Sequence, residues 1–569
     1  MARDPDQGGA FVFDLIDDGA TDPEGPSAPP GAGSEDEPDG AGSASGEPPS
    51  GGAGRRLRVL APAAAVLAIV FGTGLVFDGV RDGARMDRMR DVHGGVVDVS
   101  APLVETWEWE GDVGSPSALE EGLGAEVAVL GDVLVFESGA DLVAVDAASG
   151  AETVESGTTL VALDAATGAE AWSVPLGAVA DCGPMGSADW GEVTTTKLVC
   201  LTGSGADRAV TVVGPDGVVS ATRVLDPADT RRFGAARPGP DGTVLRGDRV
   251  GRASTTDLGD ARCTDMGECS GTVEAGQDLT LRAEDAVTGE ERWRVTIPFR
   301  PTRADQCANW YGRSWDGGST AVDVTDMLDP SAFGARISSG LVQLYGCGIE
   351  AAVTADGVLL GTEIEPGTGS VDRLRAGGYT GYAFGEEMRT VLYDAAGDAV
   401  GEIDAYAAEP VAVDGVGPDT LVGMGGPGGG VGAYEPDGTL RWEAEVPANS
   451  QMFLAQVAGT AVILSGTGAV RGLDLMTGEE RWTWDDSGSD ETARYVTRAF
   501  TDGQFVLLAT EYASGGTGLV SLDAVSGEVA WELHGDEDTV DMDVRFGGTM
   551  LSVDGNLLEV TPNGVRGLG

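Results

Sequence analysis

Residue types that commonly carry chemistry are scarce in this chain, and their spacing is poor for catalysis. Only two histidines occur among the 569 residues, His93 and His534. A Ser–His–Asp triad or a histidine-rich metal centre is therefore poorly supplied. No His-Glu-x-x-His, no phosphate-binding loop ending in Gly-Lys-Ser/Thr and no Gly-x-Gly-x-x-Gly after a strand is present. The six cysteines are Cys182, Cys200, Cys263, Cys269, Cys307 and Cys347. Their number is even, no Cys-x-x-Cys occurs and no histidine is near, which favours disulfides over a metal site. Local pairs 182–200, 263–269 and 307–347 are expected. Asp536, Asp538, Asp541 and Asp543 could hold Ca²⁺, but they lack the Asp-x-Asp-x-Asp-Gly loop with its distal glutamate. Solvated turn carboxylates are the simpler account. The expectation is no catalytic residue, no cofactor and no metal: not an enzyme.

What recurs instead is a pattern of Asp, Gly and Trp. It appears as ALDAATGAEAW (162–172), AEDAVTGEERW (283–293), AYEPDGTLRW (433–442), GLDLMTGEERW (472–482) and SLDAVSGEVAW (521–531). A variant without the tryptophan, AVDAASGAETV, fills 144–154. Apolar and polar residues alternate before the aspartate, as in a half-buried strand. The aspartate (Asp164, Asp285, Asp474, Asp523) caps a tight turn. The glycine (Gly168, Gly289, Gly438, Gly478, Gly527) supplies positive φ. The chain then returns as a strand ending on Trp172, Trp293, Trp442, Trp482 or Trp531, a broad ring suited to packing against a neighbouring sheet. One hairpin is not stable alone, whereas stacked copies are.

These units resemble the docking motif of the pyrroloquinoline-quinone (PQQ) enzyme-like β-propeller repeat, of the WD40-like and quinoprotein-like superfamily. The resemblance covers roughly residues 100–569 and implies that the tryptophans pack between blades. It does not extend to a quinone site, since those enzymes use an adjacent Cys–Cys ring, and no adjacent pair occurs here. Weaker hairpins at 212–219, 392–400 and 559–565 add Gly217, Gly397 and Gly564 as turn glycines, giving eight. An all-β fold with an eight-bladed propeller is expected, with seven blades as the alternative. The 108-residue gap between Gly289 and Gly397 then holds an insertion near 300–345. The segment LVETWEWEG (103–111) has the character of a returning strand without its hairpin, and is expected to close the ring on the C-terminal blade. Residues 137–154 match 155–172 at a shift of 18 with 12 identities. This tandem copy is expected to form an extra hairpin or a disordered loop.

The elements ahead of the repeats suggest where they are held. Residues 59–77, VLAPAAAVLAIVFGTGLVF, carry no charge and are long enough to span a bilayer. Arg55, Arg56 and Arg58 precede them, which places the N-terminus in the cytoplasm. The organisation read from this is a disordered acidic tail (1–54), a transmembrane anchor (55–78), a juxtamembrane stalk (79–99) and the propeller (100–569). The propeller is thus expected outside the membrane of a bacterial cell envelope. In the tail, Phe11, Phe13, Leu15 and Ile16 sit in an acidic frame and could dock on a cytoplasmic partner. The net charge of −58 disfavours nucleic acid. A binding or scaffolding role toward an envelope protein or polymer is the leading expectation, in line with a resemblance to the propeller lipoprotein of outer-membrane protein assembly. A transmembrane sensor and, more remotely, a quinone-dependent dehydrogenase are the alternatives.

Overall fold

The structure is a computed structural model. It describes residues 82–569 apart from 115–125, 146–151, 227–235, 251–258, 264–268, 306–333, 486–493, 535–547 and stretches of one to five residues. The tail, the apolar run 59–77 and the acidic cluster at 536–543 lie outside the described residues. Among the described residues, no helix is long and apolar enough to cross a membrane.

The fold is an all-β propeller of nine blades, each a meander of four antiparallel strands, lettered A to D from the innermost outward. Blade 1 contains Glu126–Leu130, Val133–Val145, Glu152–Asp164 and Glu170–Gly177. Blades 2 to 8 follow in chain order, over residues 180–224, 237–297, 334–360, 369–403, 406–444, 452–484 and 494–534. Blade 9 takes its inner three strands from the C-terminal end (Thr549–Val553, Asn556–Thr561, Gly564–Leu568) and its outer strand from Glu105–Glu110. The 103–111 segment therefore closes the ring, as its sequence led one to expect. Val104 and Gly569 exchange both backbone hydrogen bonds, each 3.0 Å, and seal the seam.

The expected count of eight blades is corrected to nine. The missing blade lies inside the 108-residue gap, at Gly334–Ser338, Leu341–Gly346, Ile349–Thr354 and Leu359–Leu360. Its C–D turn is TADG, with Gly357 at φ +85. Asp356 is one place from the glycine rather than four, so the turn escapes the long pattern. Gly564 is corrected too. It lies at the B–C turn of blade 9, on the opposite side from the C–D turns, and is not among the positive-φ glycines.

In the long C–D turns the aspartate carboxylate accepts backbone N–H groups two or three residues on. Asp474 Oδ1 takes those of Met476 and Thr477 at 2.9 Å, and Asp523 Oδ1 takes Ser526 N at 2.7 Å. The same turn then receives the preceding blade. Trp482 lies over Gly527, where a Cβ would stand 2.5 Å from the indole, and its Nε1 donates to Ala524 O at 3.1 Å. Trp442 lies over Gly478 and donates to Leu475 O; Trp172 lies over Gly217 and donates to Pro215 O; Trp293 lies over Gly357 and donates to Ala355 O. Trp531 donates to Val99 O, and Trp107 of the closing strand lies over Gly168.

Three boundaries lack the indole. Between blades 2 and 3, Arg223 lies against Gly289 and its Nε donates to Ala286 O at 3.2 Å. Between blades 4 and 5, Val358 and Leu360 meet Gly397. Between blades 5 and 6, Gly401 holds the register place of the tryptophan and lets the Asp437–Gly438 backbone approach directly.

The tandem copy lengthens the B–C hairpin of blade 1. Its strands Val133–Val145 and Glu152–Asp164 pair continuously from Val133↔Asp164 to Val145↔Glu152. A 13-residue pair results, rather than a separate hairpin or loop.

Residues 82–91 form a helix laid on the A–B connections of blades 6, 8 and 9. Met89 is fully buried, and Arg88 Nε donates to Asp414 O at 2.8 Å. The Arg85 guanidinium lies 4.0 Å from the buried Asp502 carboxylate. The chain continues along the inner edge of blade 8, where Thr501 N donates to Gly94 O and Val96 N to Thr501 O.

Replacing Gly527 by alanine strains a residue at φ +72 and displaces Trp482. We expect a loss of roughly 2 kcal/mol or more, read as a lower midpoint in denaturant unfolding. Gly468→Ala tests this against a glycine of φ +87 with open space around its Cβ position. Equal losses in the two variants would refute the wedge.

Candidate binding face

A propeller presents two faces. One carries the A–B and C–D turns and, here, the helix at 82–91. The other carries the B–C turns and D–A connections, and the long hairpin of blade 1 extends from it. At the foot of that hairpin, strand B of blade 1 brings in Glu137, strand A of blade 2 brings in Asp181, and Arg208 enters ahead of strand C. Alternation along strand B turns Glu137 inward, where it is only 6% exposed. Its Oε1 accepts Cys182 N at 3.1 Å, and Asp181 Oδ2 lies 3.3 Å from Arg208 Nη2. The neighbouring strands are tied by the Cys182–Cys200 disulfide, across a directly paired register with Cα atoms 4.0 Å apart.

Burial pushes the Glu137 carboxyl up to about 7. The Cys182 N–H opposes the shift, while Asp181 and Glu126 add to it. The protein around Asp181 raises its pKa as well, against the pull of Arg208 and Arg237. The group is a set of acids that crowd one another, with arginine compensating one member more than the others.

A second feature is a small, partly open cleft between blades 4 and 5. Leu344, Ala351, Ile364 and Val371 line it, with Gln343, Tyr345, Glu350 and Ser370 as its polar members. Burial pushes Glu350 up to about 7 against Arg300 and the Gly369 N–H, and pushes Tyr345 up to about 12. Gln343 spans the two blades by donating from Nε2 to Val371 O and to Asp372 Oδ1.

The residues singled out from sequence fall elsewhere. Asp164, Asp285, Asp474 and Asp523 cap C–D turns; Gly168, Gly289, Gly438, Gly478 and Gly527 occupy them; and Trp172, Trp293, Trp442, Trp482 and Trp531 lie between blades. None of the five tryptophans is part of the cleft or of the acid cluster. Cys269 and Cys347 are disulfide-bonded, and Cys263 faces Cys269 in register. Cys307 lies outside the described residues, as do Phe11, Phe13, Leu15 and Ile16. Among the described residues no group of three or more His, Cys, Asp or Glu is placed to hold a metal. Glu137, Asp181 and Glu350 escaped the sequence reading, because an acid beside a strand is common in so acidic a chain. One signal was present for Glu137: the tandem copy repeats it as Glu155.

The sequence profile of the family described as outer membrane protein assembly factor BamB matches residues 388–560. The chain is a PQQ-like β-propeller repeat protein. That match spans blades 5 to 9, the part of the propeller with three consecutive tryptophan wedges. Among solved structures, the crystal structure of BamB from Moraxella catarrhalis is 14% identical, with 82% of this chain and 99% of that chain covered and a TM-score of 0.24. The computationally designed Ika8 protein is 11% identical over 82% and 98%, with a TM-score of 0.32. The dihydro-heme d1 dehydrogenase NirN, in complex with DHE, is 12% identical over 77% and 79%, with a TM-score of 0.31. No curated protein matches the chain in sequence.

Glu137 makes stability depend on pH. Its folded pKa of about 7 exceeds the ordinary 4.5, so the folded state binds the proton more tightly. The stabilisation is complete below about pH 4.5 and is lost as pH rises through 7. The shift corresponds to roughly 3 kcal/mol at most. Glu137→Gln keeps an acceptor for Cys182 N. We expect it to raise the thermal midpoint at pH 8 and to leave it nearly unchanged at pH 4. An equal effect at both pH values would show that folding does not raise the Glu137 pKa.

Proposed function

We propose that this PQQ-like propeller is a membrane-anchored, extracytoplasmic binding or scaffolding module without catalytic activity of its own. In this reading residues 59–77 span the membrane, the tail 1–54 is cytoplasmic, and an envelope protein engages the face of B–C turns and D–A connections. The observation that carries it is the division of labour between the faces. The helix at 82–91 covers the A–B connections of three blades on one face. The other face carries the lengthened hairpin, the acid cluster and the cleft. The profile match to an outer membrane protein assembly factor supports a protein partner. The Arg55–Arg58 cluster supports the orientation.

The test is photocrosslinking in intact cells. A photoreactive residue at Met388, beside the B–C turn of blade 5, should give adducts with envelope proteins. One at Met476, exposed in the C–D turn of blade 7, should not. Adducts from Met476 alone would reverse the assignment of faces, and adducts from neither would remove the binding role.

The tandem copy supplies a second check. Deleting 137–154 joins Phe136 to Glu155 and restores a hairpin of ordinary length, with Glu155 in the place of Glu137. We expect an unchanged unfolding midpoint and loss of the Met388 adducts. Retention of the same adducts would show that the hairpin takes no part in binding.

A further inference from the structure

The hairpin that the tandem copy lengthens is open along its edges. Strand B of blade 1 runs Val133–Val145 and strand C runs Glu152–Asp164, whereas strand B of the other blades has four to eight residues. Strand A pairs with strand B only as far as Phe136, and strand D pairs with strand C only from Thr158 onward. Residues 138–145 and 152–157 therefore form a two-stranded ribbon with no further strand beside it among the described residues.

The foot of the ribbon sets the direction of its backbone groups. Glu137 O accepts Gly114 N at 2.7 Å, a bond that comes from outside the B–C pair. Backbone N–H and C=O groups alternate in direction along a strand, so Gly139, Asp141, Val143 and Val145 turn theirs away from strand C. Ser138, Ala140, Leu142 and Ala144 turn theirs toward it. At about 3.4 Å per residue, this open edge is roughly 27 Å long.

Proteins blunt such an edge with proline, lysine, a bulge or a cover. Neither 138–145 nor 152–157 contains proline or lysine, and the register from Val133↔Asp164 to Val145↔Glu152 has no bulge. An edge without these devices is a template for another strand. The charge selects which strand. The ribbon carries Asp141, Glu152 and Glu155 and no basic residue, on a chain of net charge −58. A second copy of the chain would bring acids against acids, whereas a strand with lysine or arginine at alternate places is attracted.

We propose that the blade 1 ribbon takes a basic, extended segment of a partner protein as a further strand, bonded to the outward backbone groups of Gly139, Asp141, Val143 and Val145. This rests on the binding role proposed above and specifies how the partner is held. Main-chain hydrogen bonds supply the grip, and alternate basic side chains supply the selectivity.

Val143→Pro isolates the contact. It removes one outward N–H, leaves the bonds within the hairpin, and places proline where an edge strand tolerates it. The unfolding midpoint should be unchanged. The probe is a labelled peptide of alternating lysine and valine, titrated into the full-length protein. Its affinity should fall by on the order of tenfold in Val143→Pro. It should fall at least as far when the peptide is N-methylated along its whole length, a change that keeps the charge. No binding of the peptide, equal binding of its N-methylated form, or equal binding of a glutamate–valine peptide would each overturn the proposal. So would dimers of the chain itself that Val143→Pro dissociates. In cells, Val143→Pro should lose the Met388 adducts. Adducts that persist in this variant would overturn strand addition and leave the binding role standing, whereas a wild-type protein without adducts removes both.

Discussion

The ring depends on one contact repeated around it: an indole laid over a glycine in the turn of the next blade, its N–H donated to a carbonyl of that turn. The contact needs both partners at once. The glycine must lack a Cβ so that the ring can close to contact distance, and its positive φ must expose the turn carbonyl to the indole N–H. Burial of the ring against two sheets supplies the apolar part, and the hydrogen bond fixes its orientation. Because each indole-bearing blade offers its tryptophan on one side and a turn on the other, the contact is directional. It orders the blades in sequence and leaves the last one requiring the first.

Where the indole is absent, the ring uses other means. An arginine, a pair of aliphatic side chains and a bare glycine each occupy one boundary. These three boundaries fall between blades 2 and 6, while indoles serve all four boundaries from blade 6 round to blade 1. The two halves differ in other ways. The weaker half holds the cleft, the buried arginine cluster and the small added sheets at 262–303.

The fold was legible from the sequence wherever Asp, Gly and Trp stood in register. Closure by the 103–111 strand was legible for the same reason, since Trp107 alternates with its neighbours as the other wedges do. Blade 4 was not, because its turn is the short form and its outer strand is two residues long. The candidate sites were hardly legible at all. Glu137, Asp181 and Glu350 act through burial, and burial is a property of strands that meet only after folding. Arg246 is an arginine in an alternating strand, and nothing local tells that it points between sheets rather than into water.

The helix at 82–91 has a mechanical consequence. The strand that closes the ring, Glu105–Glu110, is the first strand among the described residues, and an edge strand pulled from its end unzips one hydrogen bond at a time. Any tension arriving along the backbone from residue 81 meets the helix first. It is then spread in shear over turns of three blades and over the Gly94–Thr501 and Val96–Thr501 bonds. The seam between Val104 and Gly569 is thus shielded from peeling by a load applied at the N-terminal end of the helix.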